Sequence, residues 1–264
     1  GVQTCALPIY INYKREKTNV FTSVGYNYRN NPGKFITNSQ YLNPVDGSTK
    51  NYIDERRDNT RTGNSYNATI GMDWFLDKST TWTNALNIRK NNGQNPESVA
   101  YNYFDLNHLF QSTSYRQNDQ SSNGQNLEYT TNFTNKFKKE GHKWTIDGSF
   151  SVNKDNDYAL ISDVKNEITS NEQDQKRNII QSDYVLPFGN GSQFELGYKG
   201  DFSELTTAYG VGSISNAGVY TPYANFTNTL EYKERVNALY SQLGTKAGKF
   251  RSEERRVGKE CLRL

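Results

Sequence analysis

The chain has 264 residues, enough for one or two domains, yet only 33% are hydrophobic, and no run approaches the roughly eighteen apolar residues of a membrane-crossing helix. Aromatic residues make up 13% and asparagine fills 33 positions, a mixture too aromatic for ordinary disorder and too polar for a large soluble core. Lys and Arg number 31 against 28 Asp and Glu, with no basic block outside the extreme C-terminus, which argues against nucleic acid as a partner.

Residues 1–9, GVQTCALPI, lack the basic start and small-residue cleavage pattern of a signal peptide. They resemble an in-frame translation of sequencing-adapter DNA and are assigned to an artefactual tail. Within 10–250, Val20, Val24, Tyr26 and Tyr28 share one parity. Tyr66, Ala68, Ile70, Met72 and Trp74 then alternate with Asn67, Thr69, Gly71 and Asp73, the pattern of a strand with one apolar face. Past the polar link 77–80, Trp82, Leu86 and Ile88 oppose Thr83, Asn87 and Arg89, so a hairpin is predicted. Leu127, Tyr129, Phe133 and Phe137 lead through KKEGH into Trp144, Ile146, Gly148, Phe150 and Val152, a second hairpin. A third joins Ile180, Tyr184 and Leu186 through PFGNGS to Phe194, Leu196 and Tyr198. At the end Leu230, Tyr232, Val236, Ala238 and Tyr240 share a parity against Glu231, Lys233, Arg235 and Asn237, and are read as the apolar face. Residues 159–177 leave room for a turn or short helix. The C-terminal string 251–264, RSEERRVGKECLRL, also resembles translated adapter DNA; its five basic and three acidic residues carry two of the formal charges in the net +3. Cys5 and Cys261 lie one in each tail, so no disulfide or thiol argument is built on them.

Short links near 77–81, 138–142 and 187–192 alternate with longer polar segments near 31–62, 91–124, 154–177 and 203–222. In an antiparallel sheet this sorts short turns to one end and long loops to the other, as in outer-membrane barrels. Several alternating segments reach the nine to eleven residues, roughly, that a tilted strand needs to cross a bilayer. One parity would face lipid while Thr, Asn, Gln, Lys and Asp face a wet lumen, and Trp74, Trp82 and Trp144 beside short turns suit an interfacial girdle. Those three, with Phe133 and Phe150, are expected to point outward from a curved sheet whose first and last strands have no further neighbour.

Chemistry-bearing residues are sparse. His108 and His142 belong to no metal-ligand spacing, and His142 sits in a predicted tight turn. Ser182 and Asp183 lack a nucleophile elbow. Asp155, Asn156 and Asp157, read as part of a long loop, do not complete a calcium loop. The glycines of PFGNGS join strands rather than open a phosphate-binding helix. Glu195 with Lys199, and Glu231 with Lys233 and Arg235, are read as lumenal charges bridging strands, and Tyr101, Tyr103 and Phe104 as aromatic residues of an external loop. No residue is assigned a catalytic, cofactor-binding or metal role, and no enzyme is expected.

The runs QSDYVLPFGNGSQFELGYKGDFSE (181–204) and YKERVNALYSQLG (232–244), with GMDWFLDKSTTW (71–82) and LEYTTNFTNKFKKEGHKWTIDGSFS (127–151), resemble strand and turn units of the Bacteroidetes-type outer-membrane β-barrel proteins related to TonB-dependent receptors. The resemblance covers nearly all of 10–250. It implies an all-β fold, a partial antiparallel transmembrane β-barrel with about nine or ten strands of a barrel of about 22, in the cell outer membrane. It further implies import of a nutrient, with outer-membrane lipid, a TonB-type energy-coupling protein and a surface lipoprotein as partners. Neither a plug nor a TonB-box segment is identified in the sequence. The alternatives are a non-transporting structural barrel of the outer membrane and a glycan-binding surface protein.

Overall fold

The computed structural model describes residues 3–189, 191–247 and 250–263. They form one antiparallel sheet: β1 (Gln3–Lys14), β2 (Thr18–Leu42), β3 (Thr49–Phe75), β4 (Thr80–Phe104), β5 (Phe110–Lys136), β6 (Lys143–Ser162), β7 (Asn166–Phe188), β8 (Ser192–Ile214), β9 (Tyr220–Pro222), β10 (Asn228–Ala247) and β11 (Phe250–Arg263). Each strand pairs with the next, except that three-residue β9 caps the far end of β8 and β10 takes the next place. The path runs open from β1 to β11. β1 brings residues 3–9 into pairing with 24–30, and β11 pairs 250–263 with β10.

The three hairpins read from the alternation are present, turning at 76–79, at 137–142 and between Phe188 and Ser192. The long polar segments are not loops. β2 and β3 stay paired to Leu42 and Thr49, β4 and β5 to Phe104 and Phe110, and β6 and β7 to Ser162 and Asn166, so these far turns are short as well; the connection 215–227, which carries β9, is longer. Residues 159–177 hold the end of β6, a turn and the start of β7, with no helix. The physical reason is cross-strand pairing of polar side chains. Asn64 donates to Asn92 at 3.1 Å and Asn95 to Gln120 at 3.1 Å, so the ladder continues in water where no apolar stripe marks it. Strands of 20–27 residues result, against about eleven needed to cross a bilayer.

The described residues form no central core. Among the described residues Val99 and Val185 are the only buried hydrophobic side chains, and the accessible surface is 18482 Å². A globular protein of 30.2 kDa would expose about 11,700 Å². The excess is an apolar face that the chain does not cover with itself. Rung by rung, Trp74, Trp82 and Phe133 stand side by side, then Ile70, Leu86, Tyr129 and Phe150, then Ala68, Ile88, Leu127 and Val152. Trp144 shares that face, so all five aromatic residues expected to point outward do so. The opposite, concave face is polar and carries Gly25, Gly71, Gly124 and Gly197, where curvature crowds side chains: a Cβ at Gly71 would lie 2.3 Å from the Phe21 ring and one at Gly197 2.1 Å from Tyr240.

On β10 the parity is the reverse of the one read from sequence. Tyr240 is paired with Gly197 and Leu239 with Tyr198, so Val236, Ala238 and Tyr240 face the concave side while Leu239 and Leu243 stand outward, 61% and 45% exposed. Sequence pattern chose the parity with more apolar residues; the register, set by pairing with β8, chose the other. Two causes are visible. Tyr240 covers the gap above Gly197 and its hydroxyl donates to Asp183, and the outward charges Glu231, Lys233 and Arg235 lie on the part of β10 farther from the short turns than Leu239.

The band's slope gives the strand tilt. On β5 the apolar run ends at Leu127, whose row leads through Val152, Lys176 and Glu204 to Lys233 on β10. The outward run on β10 ends at Leu239, six residues nearer the short turns. A drop of about 20 Å over about 19 Å of sheet width corresponds to roughly 45° between strands and membrane normal, close to the tilt of about 35–45° in outer-membrane barrels.

Candidate functional site

The concave face is a hydrogen-bonded polar surface built from the second parity of every strand. Asn19 and Thr83 both donate to Asp73, at 3.0 and 2.7 Å. Thr69 donates to Asn87 at 2.9 Å, and Asn87 and Ser149 donate to Glu128 at 3.4 and 2.7 Å, tying β3 to β6. Asn132 donates to Asp147 at 2.5 Å. Between β7 and β8 the Arg177 guanidinium makes two bonds to the Asp201 carboxylate, at 2.9 and 2.6 Å, a fork that fixes both side chains. Gln181 donates to Asp183 at 2.7 Å beside the Tyr240 hydroxyl. Such ladders satisfy polar groups on a surface facing water and leave spare acceptors and donors for a solute.

Farther from the short turns this face curls around an opening of about 740 Å³ bounded by residues of β1 through β8, among them Asn27, Arg29, Arg61, Asn91, Asp157 and Tyr209. Its lining is dominated by amides and hydroxyls with a few charges of both signs. That chemistry suits a hydrated polar solute. Still farther out, Arg57 lies 2.5 Å from Glu55 and 3.7 Å from Glu97, and the bond to Glu55 raises its pKa, so the guanidinium stays charged at any ordinary pH.

The convex face answers the opposite demand. Four polar side chains that fall within the apolar band are bonded by an aromatic donor from a neighbouring strand. Trp82 Nε1 donates to Thr131 and Trp144 Nε1 to Ser182, both at 2.9 Å. The Tyr129 hydroxyl donates to Asn84 at 2.5 Å and that of Tyr198 to Asn237 at 2.7 Å. In hydrocarbon an unpaired group of this kind costs several kcal/mol, by rough transfer estimates. Sequence reading missed these pairs because each joins positions two rungs or a strand apart; the aromatic residues themselves were the signal.

The residues weighed from sequence separate. Ser182 faces outward and Asp183 inward, so they form no catalytic pair. Asp155, Asn156 and Asp157 lie in β6 rather than a loop, and alternation sends Asn156 to the face opposite the two aspartates. Glu195 and Lys199 share the concave face without an ion pair; Glu195 accepts from Gln193 at 3.0 Å. Glu231, Lys233 and Arg235 are on the convex face, not in the lumen, for the register reason given above. Tyr101, Tyr103 and Phe104 are strand residues of β4, where Tyr103 and Ser114 hydroxyls lie 3.3 Å apart. His142 stacks on Phe137 at 4.0 Å and hydrogen-bonds the Tyr184 hydroxyl at 2.8 Å, locking a turn. His108 stacks on Tyr52 at 3.7 Å in another. Among the described residues no group of three His, Cys, Asp or Glu is placed to hold a metal ion.

Residues 135–253 match the family model of an outer membrane protein beta-barrel family. The fold is that of an outer-membrane β-barrel wall. The matched stretch includes the Trp144 cap, the Arg177 fork and the Tyr240 contact with Gly197, so both faces of the barrel wall are represented within it. No curated protein and no solved structure matches the chain.

Proposed function

We propose that this barrel forms the wall of a TonB-dependent receptor of the Bacteroidetes type, importing a polar nutrient across the outer membrane. The observation that carries the reading is the continuous polar, hydrogen-bonded concave face running from β2 to β8 behind an apolar convex one. Solute would bind to amides and hydroxyls of the outer opening, while movement would be driven by a TonB-type energy-coupling protein, with a surface lipoprotein assisting capture. The wall itself does no covalent chemistry and uses no cofactor. The test is uptake by cells carrying the intact gene, with and without the energy-coupling protein and with the proton gradient collapsed. Transport is expected to stop in both cases. Uptake that persists unchanged defeats the active-import reading and leaves a passive or structural barrel.

We further propose, from their resemblance to translated adapter DNA, that residues 1–9 and 251–264 are foreign to the gene. Resequencing from intact source DNA should replace both strings; their recovery in the genomic reading frame would end that proposal.

A further inference from the structure

Above its apolar band the convex face turns charged, with Lys90 on β4, Lys154 on β6, Lys176 on β7, Glu204 on β8, and Lys233 and Arg235 on β10. Between β7 and β10, Lys176, Glu204, Lys233 and Arg235 line a groove of about 320 Å³ together with Ser203 and Glu234, which alternation assigns to the other face. Phe202 lies at its centre, with Asn178 and Arg235 as its rung neighbours; in the next outward row Lys176 and Lys233 flank Glu204. Lys233 lies 3.8 Å from Glu204, and Asp174 on the adjoining rung is engaged by Lys154 at 3.6 Å. Glu231 stands one row farther out on β10. Lys176 and Arg235 are exposed and make no ion pair among the described residues.

Position decides what this groove meets. Tyr198 and Leu239, paired on one rung two outward rows nearer the short turns, still belong to the lipid-facing band. Unpaired cations are costly in hydrocarbon and are tolerated where long side chains reach the headgroups. The strands run well past the apolar band, and the longest connection (215–227) lies at the end opposite the turns 76–79 and 137–142; in such barrels the longer segments are extracellular, which puts the groove at the level of the outer leaflet. An apolar floor with three cations on its two walls complements an amphiphile with a phosphate beside its acyl chains. A guanidinium offers such a phosphate a two-pronged contact, and the lysines add point charges.

We propose that the groove around Phe202 binds the phosphate-bearing headgroup of an outer-leaflet lipid, with Arg235 holding the phosphate and Lys176 and Lys233 neutralising it. This rests on the membrane location and not on transport. The test uses the barrel extracted from outer membranes in detergent and titrated with bis-phosphorylated lipid A or its dephosphorylated form, bound lipid being counted by native mass spectrometry. Phosphorylated lipid is expected to be retained and the dephosphorylated form lost. Changing Lys176→Gln, Lys233→Gln and Arg235→Gln together should weaken retention about a hundredfold, at roughly a factor of five for each cation removed. The same number of changes at Lys34, Lys50 and Arg56 should leave it intact. Heat-modifiable migration certifies folding; if the triple variant does not fold, Arg235→Lys and the paired lipids decide, with weaker retention expected from loss of the fork. Equal retention of both lipids, no effect of the substitutions, or displacement by a millimolar excess of inorganic phosphate would each overturn the assignment.

Discussion

Ile70 offers the most direct test of the two-faced wall. It stands on the convex face between Thr22 and Leu86, 57% exposed, four residues from Trp74 and four from Tyr66. At the tilt derived above, four residues correspond to about 9 Å of depth, so Ile70 lies near the middle of the apolar band and Tyr66 near its outer margin. Ile70→Arg puts a guanidinium at mid-membrane and should destabilise the barrel by about 2–4 kcal/mol, whereas Tyr66→Arg should cost about 0–1 kcal/mol. Thr69→Arg places the same side chain on the concave face. It loses the 2.9 Å bond to Asn87, a cost of about 1 kcal/mol, with the charge in water. Denaturant unfolding of the barrel refolded into vesicles, followed by tryptophan fluorescence, measures all three. The reasoning fails if Ile70→Arg costs no more than Thr69→Arg, or if Tyr66→Arg is as damaging as Ile70→Arg.

Trp74, Trp82 and Trp144 all stand on the convex face, so brominated lipid should quench each of them; single-Trp variants that stay bright in brominated vesicles would place those rings elsewhere. Gly197→Val drives a side chain into the Tyr240 ring, which lies 2.1 Å from the Cβ position, and should cost about 1–3 kcal/mol. Gly63→Ala, with nothing nearer than a backbone oxygen at 3.4 Å, should be far milder, and equal effects in unfolding midpoints would contradict the packing. In the short turn between β3 and β4, bonds from Ser79 and Thr80 hold the Asp77 carboxyl down to about 2. A depressed carboxyl stabilises the turn above its unfolded value near 3.8 and loses that contribution as pH falls toward 2. Protection of the Ser79 and Thr80 amides, taken relative to intrinsic exchange at each pH, should therefore fall as pH drops across that window in the wild type and stay flat in Asp77→Asn.

Most of the short-turn hairpins are legible in single strands, β10 excepted. The hairpin turning at 76–79, for instance, is written in the alternation of Tyr66–Trp74 and Trp82–Ile88, because a strand with one face in lipid must place apolar residues at every second position. Where both faces meet water that constraint vanishes. Residues 50–62 and 91–104 therefore read as loop although they are strand, held by bonds such as Asn59 to Asn95 at 3.5 Å. The polar face was legible as composition, but its networks were not: Thr69, Asn87, Glu128 and Ser149 are spread over four strands.

The sequence by itself determined the fold class, the short turns, and the division of most strands into an apolar and a polar side, since each follows from a period of two within a single strand. Only the tertiary structure decided the register between strands, and with it the inward face of Tyr240, the outward placement of Lys233 and Arg235, and the aromatic caps over Asn84, Thr131, Ser182 and Asn237. Register belongs to pairs of strands: on β10 both parities mix apolar and charged residues, and only the fit of Tyr240 over Gly197 and against Asp183 selects one of them.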